Sequence, residues 1–208
     1  MADNNSLLDK VLSLEGKFAS LQEQLSSPEA MADMKKYVQL NKDYKELVRK
    51  FFQVYNDSFA ETVTNFIPLT EEEIDEEAAS VMPYINDKAS CLLLDEHDDI
   101  VAFGISFPTI SRALQKAKGR LFPFGWWHLW RAMHDFEVTD LMVNGAAPEW
   151  QNKGVSSVYY EAMADKALKI GNRWAISNPQ IESNSAVNIW NSYEHEPFMR
   201  RRCYLKKI

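Results

Sequence analysis

Six consecutive residues, Gln151-Asn152-Lys153-Gly154-Val155-Ser156, place a glycine and a lysine among small and polar neighbours at what reads as the entrance to a helix. The chemistry that suits them is the capture of an anion. The first N–H groups of a helix have no partner within the helix, and the aligned peptide dipoles add partial positive charge there. Gly154 allows the backbone to approach a phosphate closely, and Lys153 adds a full charge beside it. Two elements must position this turn. Phe136, Val138, Leu141 and Val143 mark a strand before it, expected to break at Asn144-Gly145 and Pro148. Val155, Tyr159, Met163, Ala167 and Leu168 recur at helical spacing after it. The plainer alternative is an ordinary strand-to-helix turn with no ligand.

Downstream, Gly171 is placed to end that helix, and Arg173 to Ser177 begins another strand. Strand, helix, strand is a parallel crossover, with ligand sites expected outside the strand C-termini. Pro179 cannot donate to a ladder, so the strand ends or bulges there. Glu182 and Asn184 follow at its C-terminal end. Residues 185–194 read as a helix and 198–205 as a last strand, with Arg200-Arg201-Arg202 a solvated edge carrying one inward arginine.

Upstream, Thr70 to Glu73 has capping-box spacing and opens a helix running to about Met82. Its acidic run fits a helix start and a solvated face; no spacing there or elsewhere points to a metal. Residues 90–94 and 100–107 read as a hairpin around the polar turn Glu96-His97-Asp98-Asp99. Residues 109–118 read as a short helix ended by Gly119. Then comes an aromatic stretch, residues 119–130, with Phe124, Trp126, Trp127 and Trp130. It suits the apolar wall or lid of a substrate pocket, and equally a core-packing helix with Trp126, Trp130 and Met133 on one face.

The chain has 208 residues, 46% apolar and 25% charged, with a formal net charge of −7. That length fits one globular domain plus an appendage. The acidic balance disfavours general nucleic-acid binding. The two cysteines, Cys91 and Cys203, read as reduced thiols. No apolar run is long enough to span a bilayer and no leader pattern is in view, so a cytoplasmic protein with no membrane partner is expected.

In the first fifty residues, Leu7, Val11, Leu14, Phe18, Leu21 and Leu25 alternate by four and three, a heptad seam. Ser26-Ser27-Pro28-Glu29 stops that helix and starts another, with Ser27 as N-cap and Pro28 as first helical residue. Residues 1–50 are therefore expected to form an antiparallel helical hairpin, closing on itself, pairing between chains or meeting a helical partner. Residues 51–208 form the second unit.

The text SLLDKVLSLEGKF and LSSPEAMADMKKYVQLNKDYKEL resembles the N-terminal helical segment of bacterial class-1 peptide chain release factors. The Gly-Gly-Gln tripeptide of their release chemistry is absent, so the resemblance implies a helical docking element and no more. The turn at 151–156 resembles the Q/R-x-x-G-x-G/A signature of the GNAT acyltransferase superfamily, with Ser156 where that family has glycine or alanine. Ala146-Ala147-Pro148-Glu149-Trp150 is similar to its lead-in. Phe66 to Glu73 and GRLFPFGW at 119–126 resemble a subgroup of that superfamily carrying such an insertion, with a Glu-x-Asn like Glu182 and Asn184.

The resemblance implies an α+β fold with a mixed central sheet flanked by helices, and transfer of an acetyl group from acetyl-coenzyme A, or another acyl-CoA, to a small-molecule amine. It implies a bulge at Asn144-Gly145-Ala146 turning the amides of Gly145 and Ala146 toward the acyl carbonyl. It further implies amides from Gln151, Asn152, Lys153, Gly154, Val155 and Ser156 on the pyrophosphate, Asn184 on the cofactor arm, and Glu182 as base. The tyrosine that protonates the leaving thiolate in many relatives falls near Asn191, with Tyr193 two residues on. A different reading is a translation-associated interaction protein that docks through residues 1–50 and carries a catalytically weak scaffold.

Overall fold

The computed structural model describes residues 21, 24–63, 65–81, 88–97, 99–180, 185–202, 204 and 206. In chain order these form α1 (Pro28–Ala32), α2 (Met34–Thr62), α3 (Glu71–Val81), β1 (Cys91–Leu94), β2 (Ile100–Pro108), α4 (Ser111–Ala117), α5 (Gly125–Ala132), β3 (Val138–Ala146), α6 (Val155–Lys169) and β4 (Trp174–Ser177). Short 3-10 turns cover Pro148–Trp150 and Ser185–Ser192. The strands lie in the order β1-β2-β3-β4. The first two pairings are antiparallel and the last is parallel. This is the mixed sheet with flanking helices that the sequence implies.

The first three helices start at side-chain caps. Ser27 caps α1 by accepting a hydrogen bond from the Ala30 N–H at 3.2 Å, with Pro28 at the first position. A second cap that the spacing does not reveal, Asp33, interrupts the path and accepts from the N–H groups of Lys35 and Lys36. At α3 the Thr70 N–H donates to the Glu73 carboxylate at 2.8 Å, and the Glu73 N–H returns to the Thr70 hydroxyl at 3.3 Å. The Thr70 hydrogen bonds hold the Glu73 carboxyl below its usual range, its backbone N–H contributing most. The β1–β2 turn is tied by Asp95, whose carboxylate accepts from the N–H groups of Asp99 and His97.

The strand period of two separates the core into two layers. Cys91, Leu93 and Val101 pack with Val155, Val158, Tyr159 and Met163 of α6 on one face. Leu94, Ile100, Phe103 and Ile105 pack with Val48, Phe51 and Phe52 of α2 and Ile74 of α3 on the other. Phe103 is wholly buried, with Phe51 edge-on at 4.9 Å. Gly104 sits where a Cβ would stand 2.2 Å from the Met163 sulfur, so the missing side chain lets α6 lie close on the sheet.

The helix α2 is continuous for 29 residues and passes through position 50 without a break. The first arm of the expected hairpin, Leu7 to Phe18, lies outside the described residues. Three expectations change. The strand does not break at Asn144-Gly145; it stays paired to Ala146, because Gly145 stands opposite Phe103 and the ladder continues past the turn-forming pair. Residues 185–192 form a 3-10 turn rather than an α-helix. Residues 194–202 are exposed and lie in no strand. Three consecutive arginines put charge on both faces of any strand there, which leaves no apolar face to bury.

Candidate functional site

The wedge between β3 and β4 begins at a bulge. Ile105 pairs with Val143 and Ser106 with Leu141, so Met142 has no counterpart on β2. The parallel pairing with β4 ends at the same place, at Leu141 opposite Ser177. From Val143 to Ala146 the strand therefore has a β2 neighbour but no β4 neighbour. The Asn178 side-chain amide, just past β4, donates to the Met142 carbonyl at the point of separation. The bulge thus lies earlier than the expected Asn144-Gly145-Ala146.

Antiparallel register decides where each backbone group points. The Ala147 N–H donates to the Val101 carbonyl at 2.8 Å, so alternate residues face β2. Gly145 and Val143 turn their peptide groups to β2, while Asn144 and Ala146 turn theirs away. The Ala146 N–H already has a partner, the Ser58 hydroxyl at 3.1 Å. That leaves the Asn144 N–H directed out of the ladder toward the wedge. The Asn144 side chain is fixed from behind, donating to the Tyr159 hydroxyl at 2.9 Å. Burial, with the neighbouring Tyr160 adding to it, pushes the Tyr159 hydroxyl far above its usual range, so it stays a neutral partner.

Beyond Ala146 the chain makes a 3-10 turn and a tight loop into α6. Asn152 (φ 59°) and Gly154 (φ 79°) are both left-handed, and Gly154 is the residue before the first turn of the helix. A Cβ on Gly154 would meet nothing within 4 Å, so the space above the helix entrance is open. Among the described residues, no hydrogen bond engages the N–H groups of Asn152, Gly154, Val155 or Ser156. The Gln151 N–H bonds back to Ala147 and Pro148, and the Lys153 N–H to Trp150. The Gln151 side chain donates to the Ala146 carbonyl at 3.1 Å and ties the loop to the strand end. Lys153 lies with its ammonium 5.7 Å from the centre of the Trp150 ring, which keeps its charge beside the loop. Val155 buries its side chain and offers the loop only its peptide group.

These pieces form one surface: a peptide edge at Asn144, then a cluster of outward N–H groups with one cation at the start of a 15-residue helix. Such a surface suits an extended ligand with a carbonyl at one end and phosphates at the other. Glu182 and Asn184 lie outside the described residues. Tyr193 lies beyond the 3-10 turn, with its ring 6.4 Å from Tyr160 and its hydroxyl raised by burial and then by Glu161. No group of acidic, histidine or cysteine side chains able to hold a metal occurs among the described residues. A separate open cleft of about 770 Å3 runs between α2 and α3, lined by Lys42, Lys45, Glu46, Arg49 and Glu71, and none of the anion-turn residues borders it.

The aromatic residues Phe124, Trp126, Trp127 and Trp130 are not core. Each is between 46% and 69% exposed, which excludes the core-packing alternative. The segment that carries them joins Pro108 to Val138, and Pro108 pairs near the start of β3, opposite Thr139. The anion turn follows the other end of that strand.

No protein-family profile matches the chain. The N-terminal region is 47% identical over 47 residues to peptide chain release factor 1 of Bacteroides fragilis, covering 23% of this chain and 13% of that protein. Release factor 1 of Amoebophilus asiaticus is 35% identical, covering 33% of this chain and 23% of that protein. The chain thus spans less than a quarter of the length of these relatives. Among solved structures it is similar to AAC(6')-Iy with a bisubstrate analogue (12% identity, 79% of this chain, 94% of that chain, TM-score 0.47). A possible acetyltransferase from Clostridium difficile 630 is also similar (10%, 76% and 92%, TM-score 0.48). So is a ribosomal-protein-alanine N-acetyltransferase from Brucella melitensis biovar Abortus 2308 (12%, 77% and 92%, TM-score 0.45).

Proposed function

We propose that the protein is an acyl-CoA-dependent N-acyltransferase that moves an acetyl group from acetyl-coenzyme A to the amine of a small molecule. The observation that carries this reading is the wedge at Met142 leading, along one strand, to the outward N–H groups of Asn152, Gly154, Val155 and Ser156. One ligand would lie along that line, with its pyrophosphate on the helix entrance and its thioester at the wedge. The matching of residues 151–156 to the acyltransferase signature supports the same placement.

In the reaction the amine nitrogen attacks the thioester carbonyl. A C–N bond forms, the C–S bond breaks, and the thiolate leaves with the electron pair. The Asn144 N–H, directed from the ladder, is the donor assigned to the carbonyl oxygen as negative charge builds on it. Glu182 is assigned, on sequence pattern alone, to take the proton that the amine loses, and Asn184 to hold the cofactor arm. Solvent protonates the thiolate, since the position expected for a tyrosine acid is Asn191.

Calorimetric titration with acetyl-coenzyme A tests the reading. Saturable binding by the wild-type protein, abolished by Gly154→Trp in a folded variant, supports it. No binding at millimolar cofactor overturns it. A second reading is favoured by the release-factor similarity: residues 1–50 would dock the protein to the translation machinery. It predicts ribosome co-sedimentation lost on removing residues 1–27, a cut upstream of α2.

A further inference from the structure

The helical hairpin α4–α5 carries a surface that the transfer reaction does not use. Its connecting loop holds Leu121, Phe122 and Phe124 at 56%, 81% and 69% exposure, next to the half-exposed Trp126, Trp127 and Trp130. The same stretch, residues 109–134, contains Arg112, Lys116, Lys118, Arg120 and Arg131 and no acidic residue, in a chain whose net charge is −7. We propose that this hairpin binds the surface of an anionic lipid bilayer, with the apolar loop entering the headgroup boundary and the basic residues meeting lipid phosphates.

Three features select a bilayer. The loop is held rather than loose. Gly125 comes so close to Arg120 that a Cβ would stand 1.8 Å from its carbonyl oxygen, and the Trp126 N–H donates to the Leu121 carbonyl at 2.9 Å. Its apolar side chains therefore present a fixed wedge. The one polar atom of Trp126 is already satisfied, its indole N–H donating to the Pro123 carbonyl at 3.0 Å, so the ring enters an apolar layer without stranding a donor. Finally, the ring faces are turned to each other. Trp127 stacks on Trp130 at 5.1 Å, and Trp130 lies 4.7 Å from His134. That arrangement covers faces of Trp127 and Trp130 on which nucleic-acid bases would otherwise stack.

Aromatic and aliphatic residues beside clustered cations are the composition of interfacial anchors, and the acidic remainder of the chain is screened beyond about 8 Å at physiological salt. The expectation of no membrane partner rested on the lack of a spanning run, and peripheral binding requires none. This inference stands apart from the acyltransferase reading.

The test is co-sedimentation of the 208-residue chain with vesicles of phosphatidylglycerol in phosphatidylcholine, beside vesicles of phosphatidylcholine alone. Binding is expected on the anionic vesicles, weakened by added salt, with a blue shift of tryptophan emission. Phe122→Ser with Phe124→Ser should abolish it while circular dichroism stays unchanged. Lys118→Gln with Arg120→Gln should lower partitioning by more than about tenfold, at roughly fivefold per charge. The proposal is overturned if the wild-type protein stays in the supernatant with anionic vesicles, or if neither variant changes binding. It is equally overturned if the loop variant only dissolves a dimer in light scattering, which would make a second copy of the chain the occupant.

Discussion

Ser58 and Ala146, separated by 88 residues of chain, are joined by a single hydrogen bond of 3.1 Å in which the strand amide donates to the buried hydroxyl. It fastens α2 to the end of β3, one residue before the loop that leads to the anion turn. Gly145 completes the contact, since a Cβ there would stand 2.2 Å from the Ser58 oxygen and 3.0 Å from the Phe103 ring.

Ser58→Ala removes the acceptor and leaves the part-buried Ala146 N–H without that partner. The expected cost is about 1–3 kcal/mol in urea unfolding. Gly145→Ala should also destabilise, and Ser58→Gly should restore part of that loss in the double variant, because it removes the atoms the new methyl meets. Equal, additive losses in the cycle would mean that the two sites do not touch.

At Gly154 the space is open but the backbone is left-handed. Gly154→Ala should therefore lose about 1 kcal/mol of stability from strain alone. It should weaken acetyl-coenzyme A binding far less than Gly154→Trp. Parallel thermal unfolding and calorimetry separate the two effects.

Much of the geometry of the candidate turn was legible in the sequence because it is local. A glycine and a lysine at a helix entrance, and Ser27 and Thr70 at other entrances, state their chemistry within four residues. What escaped is long-range. Asn144-Gly145 has the composition of a turn, yet Gly145 is required because Ser58 of a distant helix occupies the place of its side chain. The position of the bulge at Met142 depends on the pairing of β2 with β3, which no single strand reveals. Trp126, Trp130 and Met133 satisfy a core pattern, and only the tertiary arrangement leaves them between 42% and 51% exposed.

Alkali should unfold the protein through two adjacent phenols. Burial pushes the Tyr160 hydroxyl up to about 12, and Tyr159 rises further. A raised tyrosine favours the protonated form in the fold. Its contribution is complete below the ordinary value of 10.0 and is lost as the pH climbs through the folded value. For Tyr160 that contribution is about 3 kcal/mol. Tyrosinate absorbance should show two late phenols ionising together with loss of circular dichroism between pH 10 and 12. Their ionisation in a protein that stays folded would refute the assignment.

Thr70→Ala should cost about 0.5–2 kcal/mol, because the lost hydroxyl both accepts from the Glu73 N–H and donates to the Glu73 carboxylate. Thr70→Ser should keep most of the stability, and chemical denaturation of the pair is the check.

The continuous helix α2 has a mechanical consequence. At about 1.5 Å per residue its 29 residues form a rod of about 43 Å, with the segment similar to release factors at one end and Ser58 near the other. A rod without a hinge converts a small tilt at its outer end into displacement at its inner end. A displacement of its amino-terminal half would reach Ala146 through the Ser58 hydrogen bond, at the end of β3 that leads into the helix-entrance loop.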